Sequence, residues 1–179
     1  MKIFIGSGSN PLIDNDYLNE TEKICQKLCD LNCSLVFGAY SKGMMGKCFQ
    51  TFSANYKEIL GITLEAYHDD LINLPNMKVI ETDTSFKRLE YIFNESDLFL
   101  ILPGGTGTLN ELFGLMEENK TNKHNKKIII YNYKGFYNEL LDYFKILKDK
   151  GFAYGNELNK LVIMDNINDL EREIKNERD

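Results

Sequence analysis

The sequence predicts an α/β fold, a doubly wound, mostly parallel, Rossmann-like sheet with helices on both faces. Three observations carry that expectation. Short apolar runs alternate with stretches of helical periodicity along the chain. Most of those runs are apolar at every position rather than at every second one, the pattern of strands covered on both sides. Glycine-bearing turns recur where such runs end, as at the carboxyl ends of strands in this class.

The elements follow in order. "KIFIG" (2–6) reads as the first strand, and a helical pattern near 16–31 follows it. Cys25, Cys29 and Cys33, spaced four apart, are expected to stack on one face of that helix with Leu18 and Leu28, as buried small hydrophobes in a reducing setting. "SLVF" (34–37) is the second strand, and a helix begins after Gly43. Strands "ILGIT" (59–63) and "KVIE" (78–81) precede a helix near 84–95, whose Leu89, Ile92 and Phe93 form an apolar face. "DLFLIL" (97–102), a helix from about 108, "KIIIYN" (127–132), a helix near 136–149, "KLVIM" (160–164) and a last helix complete the alternation.

Length and composition agree with this. At 179 residues, 43% hydrophobic and 27% charged, the chain has the balance of one domain spanning 1–179 with a substantial core. The polar stretch "EENKTNKHNKK" (117–127) is too short to divide it and reads as a helix end with a solvated loop. A net charge of −6 argues against a nucleic-acid partner, so an anionic ligand must be held by local donors. No apolar run approaches the about 20 residues that span a bilayer, and the N-terminus reads as a strand rather than a leader. A cytoplasmic location with no membrane partner is expected, where the glycosylation-like triplets at Asn19, Asn94 and Asn119 carry no meaning. His68 and His124 read as surface residues.

Three turns hold the chemistry: "GSGS" (6–9), "GAYSKGMMG" (38–46) and "PGGTGT" (103–108), all expected to open on one crevice. The first lacks the third glycine of a dinucleotide fingerprint, since position 11 is Pro11, and no acidic residue closes the second strand. No Walker lysine follows the third turn. Dinucleotide binding and nucleoside triphosphate hydrolysis are therefore disfavoured. In "PGGTGT", Gly104, Gly105 and Gly107 leave backbone amides open to an anion, and Thr106 and Thr108 add hydroxyls at a helix start whose dipole favours negative charge. That is a seat for a phosphate monoester, and Ser7, Gly8 and Gly43 of the other turns are expected to join it. Glu111, one step along the helix, is either a capping glutamate in the T-x-x-E spacing from Thr108 or a catalytic carboxylate kept ionised by the dipole. Arg88 reads by itself as a solvated helix residue.

"PGGTGTLNE" resembles the PGGxGTxxE motif of the LONELY GUY family, the cytokinin riboside 5'-monophosphate phosphoribohydrolases once labelled possible lysine decarboxylases. "GAYSKGMMG" is similar to its GGGSxGLMG segment, "YKGFYNELLDYFKILKDKGFAY" to its DGYYxxLLxFIDxAVxxGFI stretch, and "IFIGSGS" to its first strand and loop. The resemblance implies a catalytic pair, Arg88 from the MHxRK segment and Glu111 closing the glycine motif. Ser85, Phe86 and Leu89 stand where that segment has Met, His and Lys, Ala39 and Tyr40 replace two glycines, and Asn110 replaces a frequent glutamate. The implied activity is hydrolysis of the N-glycosidic bond of a nucleoside 5'-monophosphate, AMP or an N6-modified AMP, by a homodimer or larger homo-oligomer. Neither metal nor cofactor is implied, and no lysine stands in a context for pyridoxal chemistry. The competing expectation is a nucleotide or molybdenum-cofactor carrier of the same fold, and a weaker one is ribosyl transfer to another acceptor.

Overall fold

In the computed structural model, which describes residues 1–121, 126–153, 158 and 160–177, the apolar runs form one seven-stranded sheet. The elements are β1 (Lys2–Gly6), α1 (Asn15–Asp30), β2 (Ser34–Phe37), α2 (Gly43–Ala54), β3 (Ile59–Leu64), β4 (Lys78–Thr82), α3 (Ser85–Glu95) and β5 (Leu98–Ile101). They continue with α4 (Thr106–Thr121), β6 (Ile128–Tyr131), α5 (Asn138–Asp149), β7 (Leu161–Met164) and α6 (Ile167–Asn176). The strand order is β4-β3-β2-β1-β5-β6-β7, and every neighbouring pair is parallel.

Strand residues alternate between two cores because successive side chains point to opposite faces. Ile3, Ile5, Leu35, Phe37, Leu98 and Leu100 pack with Ile24 and Leu28 of α1, Phe52 of α2 and Leu170 of α6. Phe4, Val36, Ile62, Phe99 and Ile101 pack on the other face with Ile92 of α3 and Leu112 and Leu115 of α4. Both faces are covered, so the strands read as continuous apolar runs rather than as alternating ones. The edge strand β4 is the departure: Lys78, Val79 and Glu81 are exposed, since it has a neighbour on one side alone.

Some boundaries differ from the sequence reading. α1 ends at Asp30, so Cys33 lies beyond the helix and its backbone amide bonds back to the Leu28 carbonyl. It is nonetheless buried, as are Cys25, Cys29 and Cys48, all four as free thiols. Burial pushes the Cys29 thiol up to about 11 and that of Cys25 well above its usual range, which suits packing rather than nucleophilic chemistry. Between β3 and β4 the chain takes a 3₁₀ segment, Glu65–Asn73, and another, Tyr133–Gly135, precedes α5. His68 is exposed and bonds Glu81 at 2.8 Å, while His124 and the loop residues 122–125 lie outside the described residues.

The sheet's winding reverses between β1 and β5, the strand pair at which this class opens its ligand crevice. Their register sets Gly6 opposite Ile101, which brings the two following turns side by side. The Leu102 amide donates to the Gly6 carbonyl at 2.8 Å and the Gly8 amide to the Pro103 carbonyl at 3.0 Å. α2 starts hard against the first of these turns. Gly43 has φ +61°, and a Cβ there would lie 2.7 Å from the Ser9 carbonyl carbon and 2.8 Å from the Asn10 oxygen. Gly43→Ala should therefore lose about 2 kcal/mol of stability through left-handed strain and backbone collision, read as a lowered urea midpoint with unchanged slope.

Candidate active site

The crevice at the carboxyl ends of β1, β2 and β5 has a volume of about 1250 Å³. It is lined by Ser7, Gly8, Arg88, Gly104, Gly105, Thr106, Gly107, Thr108 and Glu111, so the expected site residues converge there with one exception. Gly43 is not among the lining residues: its bare Cα lets α2 press on the Ser9–Asn10 turn.

The phosphate turn differs in detail from the sequence reading. α4 begins at Thr106 rather than near Thr108, with the Leu109 amide donating to the Gly105 carbonyl at 3.0 Å. Thr108 is then the third helical residue and Glu111 lies in the second turn, so the T-x-x-E capping box does not form. The early start leaves the amides of Thr106 and Gly107 without carbonyl partners inside the helix, and both residues are exposed to the crevice. No acidic residue occupies that first turn. Ideal Cβ atoms on Gly105 or Gly107 would meet nothing within 4 Å, so their faces are open, whereas Gly104 is closed over by Thr108. The Gly8 amide is spent on Pro103 and is unavailable to a ligand. Ser7 Oγ, by contrast, is buried without a hydrogen-bond partner.

Arg88 is no solvated surface residue. The Thr84 hydroxyl caps α3 by accepting from the Lys87 amide, and one turn on, Arg88 crosses the end of β3. Its Nε donates to the Ile62 carbonyl at 2.9 Å and its Nη2 to Glu111 Oε1 at 2.7 Å. The pair is withdrawn from water, with side-chain exposures of 17% and 6%. Burial pushes the Glu111 carboxyl above the ordinary glutamate range, and Arg88 pulls the other way. Desolvation is the larger of the two influences on Glu111.

Three residues that hold this site lay in quoted segments of the sequence reading but were not among its site residues. A Cβ on Gly6 would lie 3.0 Å from Glu111 Oε2, and one on Gly38 would lie 2.7 Å from Arg88 Nη2. The two strand-end glycines are the space the ion pair occupies. Tyr137, at the start of α5, is buried and its hydroxyl donates to the Leu102 carbonyl at 2.7 Å. It pins the glycine turn. The signal for Gly6 and Gly38 was their place at strand ends; for Tyr137 it was the match of KGFYNELL to the DGYYxxLL stretch.

A family model described as possible lysine decarboxylase matches residues 45–174. The chain belongs to the LONELY GUY family. It is 29% identical over 152 residues to the cytokinin riboside 5'-monophosphate phosphoribohydrolase LOG2 of Arabidopsis thaliana, covering 84% of this chain and 70% of that protein. It is 34% identical over 92 residues to the phosphoribohydrolase of that name from Mycobacterium tuberculosis, covering 51% and 49%. The fold is also that of the molybdenum cofactor carrier protein of Chlamydomonas reinhardtii, at 12% identity and a TM-score of 0.73 over 98% and 96% of the two chains.

The departures from the LONELY GUY pattern now have positions. Leu89, at the family's lysine place, packs on α4, where a Cβ on Gly114 would lie 2.2 Å from its Cδ2. Phe86 is 84% exposed and does not line the crevice, whereas Ser85, Asn110 and Tyr40 do. Ala39 takes φ +55°, a left-handed conformation, at the corner that leads into Tyr40. No lysine is among the lining residues, so nothing there supplies the Schiff base that the older decarboxylase label would require. Arg88→Ala should strand a buried carboxylate and cost about 3 kcal/mol, and adding Glu111→Gln should recover part of that loss. Urea denaturation of the two single variants and the double variant measures the coupling.

Proposed function

We propose that this protein hydrolyses the N-glycosidic bond of a nucleoside 5'-monophosphate, AMP or an N6-modified AMP, releasing free base and ribose 5-phosphate. The observation that carries the reading is the buried Arg88–Glu111 pair, closed at 2.7 Å on the crevice into which the uncapped start of α4 opens. The names of the curated relatives support it at the level of the family.

In this reading the phosphate docks on the Thr106 and Gly107 amides, with the Thr106 hydroxyl and Ser7 Oγ as further partners. The ribose then lies toward Glu111, and the base toward the wall that Tyr40, Met44, Met45 and Tyr67 contribute. Breaking the C1'–N bond builds positive charge on the sugar, which the ionised carboxylate stabilises while it orients the attacking water. Water gives its hydroxyl to C1' and its proton, through Glu111, to the departing base. Arg88 fixes the carboxylate rotamer and offsets the repulsion between two anions in one crevice. Binding energy from the phosphate holds the sugar for attack, so unphosphorylated nucleosides react poorly. Residues 1–179 act in this scheme as one domain, in the cytoplasm, as a homodimer or larger homo-oligomer.

Incubation with AMP, CMP, GMP and N6-isopentenyl-AMP, followed by chromatography of free base, tests the activity. Glu111→Gln should lower base release at least about 100-fold while ligand binding persists. Tight binding with no base released from any nucleotide would instead favour a carrier. The acid limb of kcat/KM should lie above the ordinary glutamate range, because the raised Glu111 pKa delays ionisation as pH climbs. The same shift makes the folded state bind this proton more firmly than the unfolded chain does. Ionising Glu111 therefore costs stability as pH rises through that window.

A further inference from the structure

Of the helix starts that open on the crevice, those of α4 and α1 are chemically opposite. α4 presents unpartnered amides with no acidic residue in its first turn, beside the buried, unpartnered Ser7 Oγ. α1 is closed by its own sequence: the Asp14 carboxylate lines the crevice and accepts from the Asp16 amide at 3.0 Å, and Asp16 adds a second carboxylate in that turn. Lys134 stands within reach of Asp14's field, but its ion pair is with Asp16, which leaves this corner one negative charge in excess. Among the described lining residues Arg88 is the one cation, and it is committed to Glu111.

We infer that Asp14 is a specificity-determining residue that restricts the crevice to ligands carrying a single terminal phosphate. The inference rests on the reading that a phosphate docks at the start of α4. Once that seat is filled, a second phosphate has the start of α1 as one of the crevice walls it can turn toward. In dinucleotide-binding relatives of this architecture the first helix accepts the pyrophosphate through its free amides and dipole. Here a carboxylate already occupies that end, so a second phosphate there meets a like charge, and the nearby Lys134 is already paired with Asp16. Diphosphates, triphosphates and dinucleotides are thus rejected by charge at one corner, whatever base they carry.

Calorimetric titration of the full chain with AMP and ADP, without divalent cations that would mask the second phosphate, tests this. Asparagine caps a helix as well as aspartate does, so Asp14→Asn removes the charge and keeps the cap. Asp14→Ser serves as a second variant with the same property, and circular dichroism checks that each folds. The wild-type protein should bind AMP roughly tenfold or more tightly than ADP, and either variant should narrow that ratio about threefold or more. The narrowing should shrink at 0.5 M salt, a response that a structural effect of the substitution would not give. An AMP to ADP ratio equal in wild type and both folded variants overturns the role of Asp14. Failure of the wild-type protein to bind either nucleotide overturns the phosphate seat itself, and the inference with it.

Discussion

A carboxylate and a guanidinium withdrawn from water impose a constraint that the rest of this site obeys. Desolvating either group alone costs several kcal/mol, and their attraction offsets that cost when geometry and remaining hydrogen bonds are good. Five elements of the fold supply the geometry. α3 and α4 each deliver one partner, the end of β3 offers the Ile62 carbonyl to Arg88, and the ends of β1 and β2 present Gly6 and Gly38 where any side chain would intrude. The ion pair is thereby a property of the sheet end as a whole. Its position beside the open start of α4 follows from the register that sets Gly6 opposite Ile101.

The crevice also separates two jobs that one strong charge could have confused. In the proposed reaction, neutral donors at α4 would face the anionic end of a ligand and the charged pair would sit where positive charge develops in bond cleavage. Net charge on the chain is −6, so local amides and hydroxyls rather than a global field must hold an anion. Tyr137 steadies that turn from the side of α5, by bonding to the Leu102 carbonyl just before Pro103.

Much of this was legible in the amino-acid sequence, and the exceptions have physical causes. The fully apolar runs announced a sheet covered on both faces, and the glycine turn announced an open helix start. The helix start was misplaced by two residues because glycine is a poor helix former, and Gly107 was read as turn although the helix takes it in. Cys33 was assigned to α1 because its spacing fits a helical face, but the helix stops at Asp30 and the chain carries Cys33 into the same core by another route. The pairing of Arg88 with Glu111 was a matter of resemblance, since no local pattern relates two residues on different helices. Glu111's burial had no signal either, because it comes from neighbours distant along the chain.

Leu89 and Gly114 show how such a site drifts. The leucine that replaces the family's lysine rests in a notch on α4 that exists because Gly114 has no side chain. Reverting Leu89 to lysine alone would thrust a charge into an apolar notch between helices, and enlarging Gly114 first would collide with the leucine. The two positions are therefore coupled, because a larger residue at 114 requires a smaller one at 89. The effect of a substitution at either position thus depends on what its neighbour is, although neither residue lines the crevice.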